Sequence, residues 1–218
     1  MKDHLILLGA PGAGKDTQGK ILSMKLNVPM ISSGDLVRKE INDKTEFGLK
    51  FKELTENGNL VPDDFMNELF AHALDNFELR SGFILNGFPR TINQAEFLEE
   101  YLKKKGTDVD LVLFFDVDFN MLVKRLSGRR VCKNCGAVYN VYFSPPRKDG
   151  ICDICGGELM QREDDRVEIV ETRISVYLKD TAPLLDFYEK KGILKTCKAN
   201  NSPEVVTNTV LEAINDCD

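Results

Sequence analysis

The sequence of 218 residues contains no tryptophan and only two histidines, His4 and His72. Histidine is the side chain that enzymes use most often as a general acid or base. His4 opens a predicted strand and His72 lies inside a predicted helix, so we expect both to be structural. Any chemistry of this chain should therefore proceed without a histidine base.

The chain also lacks a long apolar run and an excess of basic residues. No segment approaches the roughly 20 apolar residues that cross a bilayer, and the apolar start at residues 5–8 is too short for a signal peptide. We therefore expect a cytoplasmic protein with no membrane partner. The net charge of −6 argues against nucleic acid as the main partner. It does not argue against nucleotide substrates, which need only a local cluster of positive charge.

The six cysteines are unevenly spread along the chain. Four of them form two Cys-x-x-Cys pairs, separated by sixteen residues and each followed by a glycine: Cys132, Cys135, Cys152 and Cys155. In a chain without a secretion signal, this spacing indicates a metal site rather than disulfides. Four thiolates suit a structural Zn²⁺ with no open position, while an iron–sulfur cluster and redox dithiols are the alternatives. Cys197 and Cys217 stand alone.

Buried strands alternate with helices along most of the chain. This alternation predicts an α/β fold with a parallel sheet covered by helices on both faces. The predicted strands span residues 5–8, 29–32, 82–85, 110–116 and 193–197. The predicted helices are one up to residue 26, two or three up to residue 77, then 93–104, one ending near 129, 165–190 with a bend near Pro183, and 203–215. Between residues 131 and 160 the periodicity is lost, which indicates an inserted module.

A glycine-rich loop follows the first predicted strand. Glycines at positions 9, 12 and 14 allow a tight turn whose N–H groups point inward, and the next helix adds its positive N-terminal end. Lys15 supplies a mobile charge for the β- and γ-phosphates of a nucleotide. The strand, loop and helix together are typical of a P-loop. The general pattern has Ser or Thr after the lysine as a magnesium ligand, whereas this chain has Asp16 and then Thr17.

Six arginines fall at or near the ends of predicted elements: Arg38, Arg90, Arg125, Arg129, Arg162 and Arg173. Each alone would be an ordinary surface residue, but together with a P-loop they indicate a clamp for a highly charged transition state. An acceptor phosphate is already ionised near neutral pH, because its second pKa is about 6. Transfer to a phosphate therefore needs positioning and charge neutralisation rather than a general base.

Several motifs, in this order, resemble the adenylate kinase family over essentially the whole chain. They are the segments 9–18, 31–38, 58–62, 82–91 and 162–165, with Arg125, the run Gly128-Arg129-Arg130 and Arg173. The resemblance implies one P-loop kinase unit over residues 1–218. Within it, a small helical AMP-binding segment lies near 32–61, a lid that closes over ATP lies near 124–163, and the remainder forms the core. The cysteine-containing insertion is similar to the zinc-ribbon-like lid of the family's long form, and we expect a monomer.

The resemblance also implies a reaction, the reversible in-line transfer of a phosphoryl group from MgATP to AMP to give two ADP. The predicted ATP-binding residues are Gly12, Ala13, Gly14, Lys15, Asp16, Thr17, Arg125 and Arg129. The predicted AMP-binding residues are Ser33, Arg38, Val61, Gly87, Arg90, Gln94, Arg162 and Arg173. The predicted catalytic residues, which stabilise charge, are Lys15, Arg90, Arg129, Arg162 and Arg173. Arg125 would stack on the ATP adenine, and Asp164 and Asp165 would help to hold the lid closed.

Two positions depart from the family pattern. Asp16 stands where the family has glycine, and Asn86 stands where it has an aspartate that orients hydrated Mg²⁺. We hypothesise that the carboxylate missing at position 86 has reappeared at position 16. Asp16 would then hold the ion directly or through a water molecule. The alternatives are that Asp16 only favours its helix dipole, by well under about 1 kcal/mol, and that Asn86 makes a slow or altered enzyme.

Two other functions remain open: a kinase for UMP, CMP or GMP, and a zinc-ribbon adaptor for nucleic acid or protein whose P-loop performs no chemistry. Ser33 and Gln94 favour AMP, because a glutamine can pair with an adenine edge. The net charge of −6 and the complete set of arginines disfavour the adaptor. Tyr139, Tyr142 and Phe143 could stack on nucleic-acid bases, but we expect them to pack the inserted module or to flank an adenine.

Overall fold

The computed structural model describes residues 2–215, so the lone Cys217 lies outside the described residues. The strands are β1 (His4–Leu8), β2 (Met30–Ser32), β3 (Phe83–Asn86), β4 (Leu111–Asp116), β5 (Arg129–Cys132), β6 (Val138–Asn140), β7 (Leu159–Met160) and β8 (Leu194–Lys198). The helices are α1 (Lys15–Leu26), α2 (Ser33–Asn42), α3 (Glu46–Glu56), α4 (Asp63–Leu74), α5 (Ile92–Lys105), α6 (Phe119–Ser127), α7 (Val167–Val176), α8 (Pro183–Lys190) and α9 (Pro203–Asn215). Within residues 2–215, none of these helices is both long and apolar enough to span a bilayer.

Five strands form one parallel sheet in the order β2-β3-β1-β4-β8. β1 lies at its centre, and its side chains alternate between two hydrophobic clusters. Ile6 and Leu8 pack into one cluster, and Leu5 and Leu7 pack into the other. Both clusters include helical residues, so the sheet is covered on both faces, as expected for a central strand that is apolar throughout residues 5–8. The predicted α/β fold is confirmed.

The carboxyl ends of three neighbouring strands create the edge at which the loops of interest meet. β1 ends at Leu8 before the glycine-rich loop, β2 ends at Ser32, and β3 ends at Asn86. In open parallel sheets, ligands bind at this edge, where helix N-termini and loop N–H groups are available. The fold therefore brings the glycine-rich loop close to segments that lie far from it in the sequence.

The inserted module contains regular structure that the sequence did not predict. β5, β6 and β7 form a small antiparallel sheet in the order β6-β5-β7. Its strands are only two to four residues long, too short to show a readable alternation. α6 ends at Ser127, slightly earlier than predicted, because Arg129 already pairs with Asn140 as the first residue of β5.

The helix predicted over residues 165–190 is divided in the structure. A 3-10 turn (Glu163–Asp165) precedes α7, and a π-helical turn (Tyr177–Thr181) separates α7 from α8. The N–H of Ala182 donates to the carbonyl of Tyr177 at 2.8 Å, five residues back. Pro183 has no N–H with which to continue the normal pattern. A π-helical turn that ends two residues before Pro183 therefore interrupts the helix close to where the sequence predicted a bend.

Candidate active site

The glycine-rich loop between β1 and α1 adopts a backbone that favours glycine. Gly12 and Gly14 have φ angles of +82° and +101°, which L side chains rarely adopt. At Gly9 a side chain is excluded by lack of space, because a Cβ there would lie 2.8 Å from the carbonyl oxygen of Phe115. Lys15 opens α1 directly after the loop. The end of a buried strand is thereby joined to a helix N-terminus, the arrangement that binds phosphate.

Lys15 is folded back onto this loop. Its Nζ donates to the carbonyl oxygens of Gly9 at 2.6 Å and Ala10 at 2.9 Å. Burial lowers the pKa of Lys15 to about 7; Asp16 opposes this shift, and three surrounding arginines add to it. A phosphate bound beside Lys15 would supply negative charge and raise that pKa again.

The two positions that depart from the family pattern are in direct contact. Asn86 donates from Nδ2 to Oδ1 of Asp16 at 2.5 Å. Burial works to raise the pKa of Asp16, but the charge of Lys15 and the hydrogen bond from Asn86 outweigh it, and the net shift is downward. The predicted magnesium environment therefore contains an ionised carboxylate beside the phosphate loop, and carboxylate oxygen is a ligand that Mg²⁺ prefers.

Six basic side chains line one cavity, called here the central cavity: Lys15, Arg38, Arg90, Arg129, Arg162 and Arg173. Asp16 and Asn86 line it as well. Burial lowers the pKa of Arg90 and of Arg162 to about 10, and neighbouring arginines add to both shifts. The central cavity thus concentrates positive charge, and an anion that binds there would relieve the repulsion.

Two of these arginines form ion pairs with Asp165, which is fully buried, with 0% of its surface exposed. Arg129 forms a bidentate pair with it, with Nε at 2.7 Å from Oδ2 and Nη2 at 2.5 Å from Oδ1. Nη1 of Arg173 lies 2.8 Å from Oδ1 of Asp165 and 3.0 Å from Oδ2 of Asp164. Burial works to lower the pKa of Arg129, but the charge of Asp165 outweighs it and the net shift is upward. Because Arg129 lies in the predicted lid and Arg173 in α7, the acidic pair joins these two parts.

A second cavity of about 310 Å³ adjoins the central cavity, and we call it the monophosphate cavity after the ligand that the sequence analysis predicts for its lining residues. It contains all the residues predicted to bind AMP: Ser33, Arg38, Val61, Gly87, Arg90, Gln94, Arg162 and Arg173. Oγ of Ser33 donates to the carbonyl of Gly87 at 2.6 Å, and Nε of Arg90 donates to the same carbonyl at 2.8 Å. Arg90 is thereby fixed at the boundary between the two cavities.

A third cavity of about 750 Å³ lies beside the glycine-rich loop, and we call it the triphosphate cavity after the ligand that the sequence analysis predicts for its lining residues. It contains all the residues predicted to bind ATP: Gly12, Ala13, Gly14, Lys15, Asp16, Thr17, Arg125 and Arg129. The guanidinium of Arg125 donates to the carbonyl of Ala199 at 2.9 Å. Tyr139 and Phe143 also line this cavity, and the hydroxyl of Tyr139 lies 3.5 Å from Sγ of Cys152. Tyr139 therefore contacts the cysteine cluster as well as the cavity.

The four paired cysteines converge at one point in the inserted module. The Sγ atoms of Cys132 and Cys155 lie 3.4 Å apart, and those of Cys135 and Cys152 lie 3.6 Å apart. These separations exclude disulfides, whose S–S bond is about 2.05 Å. In a tetrahedral site with Zn–S bonds of about 2.3 Å, the sulfurs lie about 3.8 Å apart. The four thiols therefore fit a single zinc ion, whereas a cluster of several irons would hold them further apart.

A further contact at the monophosphate cavity was not predicted from the sequence. Asp63, the first residue of α4, accepts hydrogen bonds from Oγ1 of Thr91 at 2.8 Å and from Nε2 of Gln94 at 2.7 Å. An acidic residue in the first turn of a helix is common, because it favours the helix dipole. An acid at position 63 therefore has an ordinary local explanation, and no local pattern links it to Gln94, which lies 31 positions away.

Comparison with known proteins gives matches over nearly the whole chain. A family model described as adenylate kinase matches residues 7–193. A curated adenylate kinase from Caldicellulosiruptor bescii is 47% identical over 97% of this chain and 98% of its own. One from Ruminiclostridium cellulolyticum is also 47% identical, over 97% of this chain and 99% of its own. One from Thermosipho africanus is 44% identical over the same shares. The matches therefore include the glycine-rich loop, the arginines and the cysteine module.

Proposed function

The chain belongs to the adenylate kinase family, and we propose how its residues carry out the reaction of that family. The match over residues 7–193 and relatives 44–47% identical over 97% of the chain identify it as a nucleoside monophosphate kinase. Its activity is the reversible conversion of MgATP and AMP to two ADP. The roles of individual residues in this reaction are our proposal.

The central cavity, with its six basic side chains, carries this proposal because it adjoins both of the other cavities. Arg162 lines all three cavities, Arg129 lines the central and triphosphate cavities, and Arg173 lines the central and monophosphate cavities. We infer that AMP occupies the monophosphate cavity and ATP the triphosphate cavity. Their phosphates would then meet in the central cavity, where attacking and leaving oxygens can lie in line.

The basic side chains supply the catalysis in this proposal. Lys15 and the N–H groups of its loop hold the β- and γ-phosphates of ATP. Arg90, fixed by Ser33 and Gly87, bridges the AMP phosphate and the transferring group. The remaining arginines neutralise the charge that spreads over the transferring phosphoryl oxygens. Because the acceptor phosphate is ionised near neutral pH, no side chain has to remove a proton from it.

Adenylate kinases use Mg²⁺ with ATP, and the ion, when bound, neutralises charge on the β- and γ-phosphate oxygens. The residues beside the phosphate loop fit such an ion, because Asp16 presents a carboxylate there. Oδ1 of Asp16 accepts a hydrogen bond from Asn86 at 2.5 Å. Oδ2 of Asp16 accepts no hydrogen bond from residues 2–215. We propose that Asp16 holds the ion directly or through a water molecule.

The cysteine cluster is proposed to hold a structural Zn²⁺ in a lid formed by residues 124–163. Cys132, Cys135, Cys152 and Cys155 would fill all four ligand positions, which leaves none for substrate. The hydrophobic cluster of this module has three buried residues, two of which are cysteines. So small a core cannot supply the folding free energy of this module, and the metal would supply it instead.

Residues 32–61 would form the AMP-binding segment, and the remainder of the chain would form the core.

A comparison of acceptors tests the assignment of the monophosphate cavity. ADP formation is measured in a coupled assay with MgATP and, in turn, AMP, GMP, UMP and CMP. We expect AMP to exceed the others in kcat/KM by about 100-fold or more, because unmatched polar groups of the wrong base are buried without partners. Equal kcat/KM for UMP or CMP would show that this cavity does not read adenine.

A further inference from the structure

Asp63 connects the start of α4 to the start of α5 beside the monophosphate cavity. One of its oxygens accepts from Oγ1 of Thr91 at 2.8 Å, and the other accepts from Nε2 of Gln94 at 2.7 Å. Gln94 lines the cavity, and Asp63 is not among its lining residues. Asp63 can therefore affect a nucleotide only indirectly, and of its two hydrogen-bond partners only Gln94 lines the cavity.

The side-chain amide of Gln94 is fixed in one orientation by two partners of opposite kind. Gln94 is only 2% exposed, and its Oε1 accepts a hydrogen bond from the backbone N–H of Arg90 at 2.7 Å. A backbone N–H can only donate, and both carboxylate oxygens of Asp63 accept hydrogen bonds here. The reversed amide would place N–H against N–H and oxygen against oxygen. Both buried contacts would then be repulsive.

A fixed amide recognises only one arrangement of donor and acceptor on a base. After its two protein contacts, Gln94 retains one N–H and one oxygen lone pair. Adenine offers a matching edge, because its 6-amino group donates next to a ring nitrogen that accepts. A 6-oxopurine presents an oxygen at position 6, which would face Oε1 of Gln94. Only a reversed amide would suit that base.

We propose that Asp63 is a positioning residue that fixes the amide of Gln94 and thereby selects 6-aminopurine over 6-oxopurine monophosphates. This inference rests on the proposed binding of AMP beside Gln94. In this proposal, the orientation of the Gln94 amide discriminates between the two classes of purine. A change at Asp63 should therefore alter KM for the monophosphate rather than the rate of phosphoryl transfer. IMP is the natural probe, because its base carries O6 where adenine carries the amino group.

The test compares kcat/KM for AMP and IMP in the wild type and in Asp63→Ala. Loss of one anchor frees the amide of Gln94, so we expect the AMP-to-IMP ratio to fall about tenfold. The fall should come mainly from a higher KM for AMP, with KM for ATP and kcat at saturating AMP within about twofold. Asp63→Asn should restore most of the ratio. Its amide oxygen can still accept from Gln94, and the Arg90 N–H still holds Oε1.

Asp64→Ala is the matched control, because Asp64 is an exposed acidic residue in the same first turn of α4. Asp64→Ala should leave the AMP-to-IMP ratio of kcat/KM at the wild-type value. Adding Asp63→Ala to Gln94→Ala should leave the ratio at the value of Gln94→Ala alone. Thermal unfolding of each variant checks that it is folded. An unchanged ratio in Asp63→Ala overturns the inference alone and leaves the proposed function intact. Three other results also overturn it. The AMP-to-IMP ratio could fall equally in Asp64→Ala, or fail to recover in Asp63→Asn. It could also fall further when Asp63→Ala is added to Gln94→Ala. A wild type that uses IMP as well as AMP would overturn both the inference and the adenine assignment.

Discussion

The side-chain amide of Asn86 donates a hydrogen bond to the carboxylate of Asp16 at 2.5 Å, although the residues lie 70 positions apart. The two departures from the family pattern are therefore in contact. An aspartate at position 86 would place a second carboxylate against Asp16, and like charges so close are unfavourable. The structure thus supplies a physical reason why a carboxylate at position 16 is compatible with asparagine at position 86.

A double-mutant cycle tests whether the carboxylate of Asp16 replaces the one that the family has at position 86. We expect Asp16→Gly alone to lower magnesium-dependent kcat/KM by about 100-fold or more, because it removes the charged group that we propose holds the ion. Adding Asn86→Asp should restore most of the activity. The measurement is kcat/KM for ATP in all four variants across a magnesium titration.

The control for this cycle is Asp186→Gly, which removes an exposed carboxylate from the first turn of α8. It should cost stability through the helix terminus, by about 1 kcal/mol, and leave kcat/KM within about twofold. If Asp16→Gly behaves like this control, Asp16 only favours its helix dipole. Additive effects of the two substitutions at every magnesium concentration would show that positions 16 and 86 are uncoupled.

Arg90 is predicted to stabilise charge on the transferring phosphoryl group. Arg90→Ala should lower kcat by several orders of magnitude, because the central cavity loses a half-buried charge that we propose contacts the transferring phosphoryl group. Arg90→Lys should recover part of the loss, since it keeps the charge but not the contact with Gly87. Arg147→Ala, at an exposed arginine of the inserted module, should be near wild type. A loss below about tenfold in Arg90→Ala would contradict the assigned role.

The parts of the molecule that the sequence predicted are those specified by neighbouring residues. The apolar run at residues 5–8 and glycines 9, 12 and 14 specify a buried strand and a tight turn without help from distant parts. The sheet and the phosphate loop could therefore be placed before the structure was known. Asp16 and Asn86 could be connected in a hypothesis only because both depart from the family pattern in the same chemical environment.

The parts that the sequence could not predict depend on contacts between distant residues. β7 consists of Leu159–Met160 alone, and it exists because the cysteine module brings it beside β5. The buried pair of Arg129 and Asp165 joins residues 36 positions apart. Asp63 has an adequate local explanation as a helix N-terminal acid, so its contact with Gln94 has no local signal.

Removal of the metal tests the role of the cysteine module. The purified protein should contain one zinc per chain, bound by Cys132, Cys135, Cys152 and Cys155. Its removal by a chelator should lower Tm by about 5 °C or more, because the module has little core of its own. Catalysis should weaken but persist, since the ion has no position for substrate.

Cys197→Ser provides the control for the zinc measurement, because Cys197 is buried in the core, away from the module. This variant should still contain one zinc per chain and should lose stability on chelation as the wild type does. Iron instead of zinc, or no metal in protein purified without chelator, would contradict the assignment. An unchanged Tm after chelation would contradict the structural role.

Binding of ATP should change the protonation of Lys15. Burial lowers the pKa of Lys15 to about 7 in the free protein, so at pH 8 we expect most of the side chains to be neutral. Phosphate charge raises that pKa on binding. A group whose pKa rises on binding takes up protons between the two pKa values, so uptake should appear above pH 7 and vanish at pH 6. For the same reason, the affinity for ATP should weaken as the pH rises above about 7.

Calorimetric titration with MgATP, in buffers of different ionisation enthalpy, measures this proton uptake. We expect uptake of a large fraction of one proton per site at pH 8 and little uptake at pH 6. Lys15→Arg separates Lys15 from other groups, because a guanidinium stays charged at both pH values. Any binding that remains in that variant should occur without uptake. Equal uptake in Lys15→Arg would assign the proton to another group. No uptake in the wild type at pH 8 would contradict the predicted change in the protonation of Lys15.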